Sequence, residues 1–196
     1  MARAVYRARR PRPAAGGFTL LDVLFATAIM AILAGIAVPQ TMASVDRSRA
    51  WAAARYLAGR MALARMQAVG RSATVALRFS DAADGFGFDT FVDGNRNGVR
   101  TREIASGTDR PLDAPVQLSE MFPGVVIGLA EDGSGDPVRT GSSSLLSFTP
   151  SGTATSGSIY IRGRDGSRFV VRVLGATGRT RVLRYVVQTR DWSETL

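Results

Sequence analysis

The side chains that most often carry out chemistry in proteins are missing from this sequence. It contains no Cys and no His, and all 25 of its basic residues are Arg. These absences exclude thiolate and imidazole metal ligands, disulfides, Ser-His-Asp triads, lysine Schiff bases and the phosphate-binding lysine of P-loops. A Gly-x-Ser-x-Gly elbow is also absent. We therefore expect a protein that is not an enzyme, with no catalytic residue, no metal and no cofactor.

Charged residues remain as candidates for binding, and they are unevenly distributed. The net charge is +9, of which residues 1–17 contribute five Arg and no acid. Residues 72–139 carry six Arg against eleven acids, whereas residues 140–196 carry eight Arg against three acids. Removal of the first 17 residues leaves a charge of only +4, so the net charge does not require a nucleic-acid partner.

One acidic loop resembles the start of a calcium-binding loop. Residues 93–98 read D-G-N-R-N-G, which fits the pattern D-x-[DN]-x-[DN]-G. The twelfth position should hold a bidentate acid but is Ile104, and Glu103 comes one residue early. Arg96, Arg100 and Arg102 also oppose cation binding. We predict an Asx-type turn, and a calcium site is the alternative.

Near the N-terminus lies an apolar segment long enough to cross a membrane. Residues 18–38 contain only Thr19, Asp22 and Thr27 as polar residues. At ~1.5 Å per residue a helix of this length spans roughly 31 Å, about the hydrocarbon core of a bilayer. Five Arg precede the segment, so the positive-inside rule predicts a cytoplasmic N-terminus and an exported C-terminal part.

Three ordinary explanations compete for this segment: a secretory signal, a plain membrane anchor and a buried globular helix. A secretory signal has a shorter apolar region, of about 7–15 residues, followed by small residues. Here the small residues precede it, as Ala14-Ala15-Gly16-Gly17. A plain anchor gives no reason for Asp22, since a carboxylate costs about 2.5 kcal/mol or more at the middle of a bilayer.

Residues 17–22 read G-F-T-L-L-D and resemble the type IV prepilin signal, G-F-T-L-[IL]-E before an apolar helix. The resemblance implies that a prepilin peptidase cuts after Gly17 and N-methylates Phe18. It also implies that Asp22 and Pro39 serve assembly. The family usually has Glu where this chain has Asp22, and that carboxylate is thought to meet the N-terminal amine of a neighbouring subunit. Pairing with the chain's own amine is the alternative.

After Pro39 the sequence remains helical in pattern to residue 71 and then changes to short β-like runs. The helical part has one narrow apolar face, formed by Ala54, Leu57, Ala58, Met61, Ala64 and Ala68. Strands are predicted at residues 74–79, 85–92, 125–130, 145–149, 158–162, 168–174 and 181–187. Turns at 163–166 and 175–178 join the last three as hairpins. We predict an α+β, pilin-like fold, with a long N-terminal helix packed on an antiparallel sheet.

Three motifs in the C-terminal part are similar to those of the GspH/FimT branch of pseudopilins. They are F-T-P-S-G-T-A at 148–154, G-S-I-Y at 157–160 and G-R-T-R at 178–181. The resemblance implies a minor pseudopilin of the type II secretion system, which assembles into a periplasmic pseudopilus for protein export. Its partners would be the prepilin peptidase, other pseudopilins, the assembly platform, membrane lipid and secreted cargo.

The alternative function is that of a FimT-like minor pilin, which binds DNA during transformation or primes pilus assembly. In that case Arg179 and Arg181 would contact DNA. A wider phosphate-contacting strip would include Arg162, Arg164, Arg168, Arg172 and Arg184, with Tyr160, Phe169 and Tyr185 interspersed. The ordinary explanation is a turn whose arginines face solvent or pair with the acidic middle segment.

These interpretations divide the chain into four parts. We expect a leader at 1–17, a transmembrane and assembly helix at 18–38, an amphipathic helix at 39–71 and a β-rich periplasmic domain at 72–196. The protein is expected in the bacterial inner membrane, crossing it once, with the N-terminus in the cytoplasm.

Overall fold

The computed structural model describes residues 17–82, 85–129, 135–141 and 143–194. The chain divides into two compact units, Met1–Thr41 and Met42–Leu196. Apart from Gly17, the predicted leader lies outside the described residues.

A single long helix, α1 (Leu20–Arg71), includes both predicted helical segments. It runs through Pro39 without interruption, although this residue cannot donate a backbone hydrogen bond. In the first unit, all described residues from 17 to 41 are exposed. This apolar part of α1 is long enough to cross a membrane.

In the second unit, α1 buries one narrow face. The buried residues are Ala50, Ala53, Ala54, Leu57, Met61, Ala64 and Ala68. This is the predicted face, except that Ala58 is only partly buried. The helix ends with Ser72 in the left-handed region at φ 49°, and the backbone N–H of Ala73 donates to the carbonyl oxygen of Ala68. Ser72 therefore ends the helix.

The remaining elements of the second unit are short and mostly extended. In chain order they are β1 (Val75–Ala82), β2 (Gly85–Val92), α2 (Thr101–Ala105), β3 (Arg110–Pro111), β4 (Val116–Gln117), α3 (Leu118–Met121), β5 (Val125–Ile127), β6 (Val138–Arg139), β7 (Leu145–Phe148), β8 (Gly157–Gly163), β9 (Arg168–Leu174), β10 (Arg179–Val186) and β11 (Asp191–Glu194). All seven predicted runs contain a strand.

Within the described residues these strands form two antiparallel sheets. The first has the order β3-β2-β1-β7, with β4 also paired to β2. The second has the order β11-β10-β9-β8-β5, with β6 also paired to β8. Both sheets contribute to one hydrophobic core with α1, where Trp51 of the helix and Phe169 of β9 lie with ring centroids 5.9 Å apart. The α+β prediction is therefore confirmed, with two sheets in place of one.

Side chains alternate across the second sheet, so its register defines two faces. Ile159 and Ile161 of β8 and Val171 and Val173 of β9 are buried in the core. Their neighbours along each strand lie on the opposite, outer face. Most charged residues of these strands are on that outer face.

Candidate functional site

The start of α1 contains the carboxylate that the sequence singled out for assembly. Asp22 Oδ2 accepts hydrogen bonds from the backbone N–H of Thr19, at 2.9 Å, and from its hydroxyl, at 2.8 Å. In return, the backbone N–H of Asp22 donates to Thr19 Oγ1 at 3.2 Å. This reciprocal arrangement is a capping box, with Thr19 as the N-cap residue. The partner of Asp22 within the described chain is thus Thr19.

The predicted processing residues flank this cap. Phe18 is 90% exposed, and Gly17 is exposed as well. They are followed by a series of exposed apolar side chains: Leu20, Leu21, Val23, Leu24, Phe25, Ile29, Met30, Ile32, Leu33, Ile36 and Val38. A helix that is apolar on all sides is stable when lipid or other helices surround it. Pro39, predicted to serve assembly, is exposed at the end of this series.

The acidic loop after β2 is closed by its own hydrogen bonds. Asp93 Oδ1 accepts from the backbone N–H groups of Asn95, at 3.0 Å, and Arg96, at 2.7 Å. Asp93 Oδ2 accepts from the backbone N–H of Gly98 at 2.6 Å. These bonds confirm the predicted Asx-type turn. Both oxygens of Asp93 are therefore engaged by the backbone.

A second buried acid supports the same loop. Asp109, which is 1% exposed, accepts hydrogen bonds from the backbone N–H groups of Gly94, at 3.1 Å, and Arg100, at 2.9 Å. Glu103 accepts one from the side-chain amide of Asn97 at 2.9 Å. In the part of the chain that the structure describes, no three or more Asp or Glu side chains group together as metal ligands. Asp93 and Asp109 thus bind backbone N–H groups and Glu103 binds a side chain, and the described residues offer the calcium alternative no carboxylate cluster.

Two of the motif glycines meet on α1. Gly152, from the turn after β7, and Gly178, from the β9–β10 turn, have φ of 81° and 60°. The Arg65 Nε–H group donates to the carbonyl oxygen of Gly152 at 2.9 Å. A Cβ atom on Gly178 would collide with that same carbonyl oxygen and would lie 2.9 Å from Arg65 Nε. We call Arg65, Gly152 and Gly178 the glycine junction, since these three residues hold two separate turns against the helix.

The two arginines of the predicted DNA-binding turn have different surroundings. Arg179 is exposed and forms no ion pair within the described residues. It lines a groove between α1 and β10. Arg181 lies on the outer face, where its guanidinium Nη1 is 2.7 Å from Glu194 Oε1. This pair is exposed, so it contributes only about 0–1 kcal/mol and is weakened by salt.

The outer face of the second sheet is rich in arginine and aromatic side chains. Strand register and alternation assign to it Arg139, Arg162, Arg168, Arg172, Arg181, Tyr160, Tyr185 and Trp192. We call these eight residues the arginine face. The Arg139 guanidinium lies 5.1 Å from the centroid of Tyr160, and the Arg168 guanidinium lies 5.8 Å from that of Tyr185. Cations and rings therefore alternate across the face.

Part of the predicted phosphate-contacting strip is wrong. Phe169 is 2% exposed in the core. Arg184, its cross-strand partner, is exposed but lies on the same side of the sheet as Phe169 and not on the arginine face. The sequence analysis also missed Trp192, whose ring lies edge-to-face with Tyr160 and Tyr185 at 5.6 and 5.2 Å. The alternation of buried and exposed positions along β9 and β10 could have separated the two faces. The short strand β11 gave no comparable signal.

The chain combines an N-terminal helix that is a candidate membrane anchor with a domain of two antiparallel sheets. The family model described as "Type II transport protein GspH" matches residues 53–178. The chain therefore belongs to the GspH family of pseudopilins, which are structural and not catalytic. The match includes the buried face of α1 from Ala53 onward and ends at Gly178 of the glycine junction.

Comparison with individual proteins gives one similar structure and one negative finding. The minor pseudopilin EpsH from the type 2 secretion system of Vibrio cholerae is similar in structure, with a TM-score of 0.47 and 14% sequence identity. The similarity covers 69% of this chain and 97% of that one. No curated protein matches the sequence.

Proposed function

We propose that this chain is a minor pseudopilin of a type II secretion system, which assembles with other pseudopilins into a periplasmic filament for protein export. Membership in the GspH family is the observation that carries this proposal. The exposed apolar part of α1 supports it, because a helix of that kind needs lipid or neighbouring helices around it. The function is mechanical, and the energy comes from other components of the system.

The proposed life of the chain begins with processing. A prepilin peptidase removes residues 1–17 after Gly17 and N-methylates Phe18. Residues 18–38 remain as the transmembrane and assembly helix, continued by residues 39–71, and residues 72–196 form the periplasmic domain. The chain crosses the inner membrane once, with its N-terminus in the cytoplasm, as the five Arg before the apolar segment favour.

Asp22 is the proposed assembly residue of the apolar segment. Its Oδ2 atom is engaged by Thr19, and a carboxylate can accept further hydrogen bonds through its other oxygen. We infer that Oδ1 pairs with the N-terminal amine of a neighbouring subunit, which compensates both charges in the membrane. Pro39 is proposed to assist helix packing, because it leaves the carbonyl oxygen of Gly35 without its helical donor. Further partners are the assembly platform and secreted cargo.

Mass spectrometry of the native protein tests this proposal. The expected product begins at Phe18 and carries one methyl group on its amine. Deletion of the gene is expected to stop export of secreted proteins, and the intact gene to restore it. A native protein that still carries residues 1–17, or that begins after Val38, would overturn the proposal. Normal export without the chain would do so as well.

The arginine face favours a second candidate function, DNA binding in the manner of a FimT-like minor pilin. A cationic surface with interspersed aromatic rings attracts phosphates and offers planes on which bases stack. On this face Glu194 is the acid paired with Arg181, and no carboxylate pairs with Arg168 or Arg172 in the described residues. Arg179 would extend the contact from the adjoining turn.

A mobility-shift titration with double- and single-stranded DNA tests this second candidate. Binding is expected to weaken steeply with salt and to fall in Arg172→Ala/Arg181→Ala and in Arg179→Ala/Arg181→Ala. Arg102→Ala/Arg110→Ala removes the same charge from exposed positions elsewhere and serves as the control. Equal losses of DNA affinity in all three variants would show that only net charge matters and would reject a specific binding site.

A further inference from the structure

A groove beside the second sheet differs in its lining residues from the arginine face. It lies between α1 and β10 and has a volume of about 700 Å³, within the range of roughly 300–1,000 Å³ typical of ligand sites. We call it the arginine groove, and its lining residues fall into three groups. The cations are Arg55, Arg65 and Arg179, the small residues are Ala58, Gly59, Ala62 and Gly178, and the remainder are Trp51, Met66, Thr180 and Val182.

The charge of the groove has one sign. Three guanidinium groups line it, and none of its lining residues is an acid. None of the three forms an ion pair with a described carboxylate. Arg65 is anchored through Nε to the carbonyl oxygen of Gly152, which fixes its position. Guanidinium groups without an acidic neighbour favour a ligand that carries carboxylates or phosphates.

Between Arg55 and Arg65, the part of α1 that lines the groove has small and apolar residues. Ala58, Gly59 and Ala62 are adjacent on α1, and no atom lies within 4 Å of the place where a Cβ atom of Gly59 would be. Met66 is 70% exposed at the edge. Small residues let another backbone approach closely, and exposed methionine adapts to varied apolar partners. The occupant therefore combines acidic groups with apolar side chains, as a peptide segment does.

The same features argue against nucleic acid in this groove. Its aromatic residue is Trp51, and the Arg55 guanidinium lies 5.4 Å from the centroid of that ring. Arg55 thus occupies a ring face on which a base would stack. Alanine and glycine offer no replacement surface. The groove differs in this respect from the arginine face, where three aromatic rings cluster.

We propose that the arginine groove binds a carboxylate-bearing, partly apolar segment of a neighbouring pilin-like subunit. This inference rests on the proposed function, since it requires a filament in which such subunits meet. Arg55 and Arg179 bind the carboxylates, and the Ala58–Gly59–Ala62 surface and Met66 receive the apolar side chains. Arg65 combines two roles, because it also holds the glycine junction beneath the groove.

Photo-crosslinking in the native cells tests the inference with the full chain. A benzoylphenylalanine residue is placed at Met66 in the groove. A second position, Leu174, is 57% exposed and lies outside the groove, and serves as the surface control. A third, Ile29, lies in the apolar part of α1 and reports whether the chain assembles with other subunits at all. The crosslinked peptides are identified by mass spectrometry.

The expected result is a crosslink from Met66, and not from Leu174, to an acidic segment of a pilin-like subunit. Arg55→Glu/Arg179→Glu is expected to reduce it at least about tenfold, because like charges then meet in the groove. The crosslink from Ile29 persists in that variant and shows that it folds and assembles. Replacing the acids of the identified segment with Arg is expected to restore the crosslink to the charge-reversed groove.

Three outcomes would overturn the inference. The first is a crosslink from Met66 that survives charge reversal. The second is a crosslink from Met66 to a nucleic acid, or to a protein segment that contains no acidic residue. The third is no crosslink from Met66 while Ile29 still crosslinks to pilin-like subunits, which rejects the groove and leaves the proposed function intact. If Ile29 also fails, the proposed function itself is wrong and the inference falls with it.

Discussion

Gly178 packs so closely against the carbonyl oxygen of Gly152 that no side chain fits between the two turns. The two glycines are 26 positions apart in the sequence and belong to different motifs. Both glycines contact Arg65 of α1. The shared contact explains why glycine occupies both motif positions, and this explanation does not involve a ligand. It also fixes the turn that precedes Arg179, and with it one side of the arginine groove.

Substitution of Gly178 by Ala should destabilise the protein more than an equivalent change in an unpacked turn. The new Cβ atom meets the Gly152 carbonyl oxygen, and the backbone strain of φ 60° is added. We expect a loss of about 1–3 kcal/mol, measured by urea unfolding in detergent. Gly166→Ala is the matched control, because its φ is 77° and no atom lies within 4 Å. Equal losses for both variants would contradict close packing at the junction.

The capping and assembly roles of Asp22 can be separated by two variants. Asp22→Asn keeps an oxygen acceptor for Thr19 but removes the charge, whereas Thr19→Val removes a cap worth about 1 kcal/mol and leaves the charge. If the carboxylate pairs with a neighbouring amine, Asn should reduce incorporation into filaments about tenfold, and Val far less. Co-sedimentation with other pilin-like subunits measures this. Equal losses of incorporation in the two variants would mean that Asp22 acts only as a helix cap.

The buried face of α1 should tolerate little change. Leu57 is fully buried, so Leu57→Ala is expected to cost about 2–5 kcal/mol through lost burial and a cavity. Leu63 lies on the same helix and is 39% exposed, so Leu63→Ala should cost about 0.5 kcal/mol or less. Urea unfolding can be followed by the fluorescence of Trp51, which packs on Phe169. A Leu63→Ala variant as unstable as Leu57→Ala would disprove this orientation of the helix.

Calcium should leave the loop after β2 unchanged, whereas loss of a buried acid should not. Asp109→Asn removes one of two acceptors for backbone N–H groups, and we expect a loss of about 1–3 kcal/mol. Asp81→Asn, at an exposed position, is the control and should have little effect. Titration calorimetry with millimolar calcium is expected to give no heat. Measurable heat, or a raised unfolding midpoint with calcium, would restore the metal site.

The periodicity of apolar residues predicted the main helix and strands well, because a strong period is compatible with only one type of secondary structure. The Leu57, Met61 and Ala64 spacing on α1 corresponds to the observed buried face. The turn at 175–178 joins β9 and β10 as expected. The elements that the sequence did not predict are β3, β4, β6, β11, α2 and α3, which are two to five residues long and carry no periodic signal. Tertiary contacts, and not local pattern, form them.

The site was less predictable than the fold. The spacing of Thr19 and Asp22 carried the signal of a capping box, and the sequence analysis did not use it. By contrast, the sequence near Arg65 does not predict its hydrogen bond to Gly152, which is 87 positions away. The arginines after Gly178 were read as one group, but the strand and the groove give Arg179 and Arg181 different neighbours. Such differences depend on packing between distant segments.

The alanines on the buried face of α1 limit how the core can change. Five of the seven residues that the helix buries are alanines, and both sheets contribute to the same core. A larger side chain at any of these five positions would have to displace packed strands, which typically costs about 1–3 kcal/mol. The close approach of the helix to the strands therefore depends on residues that have no long side chain.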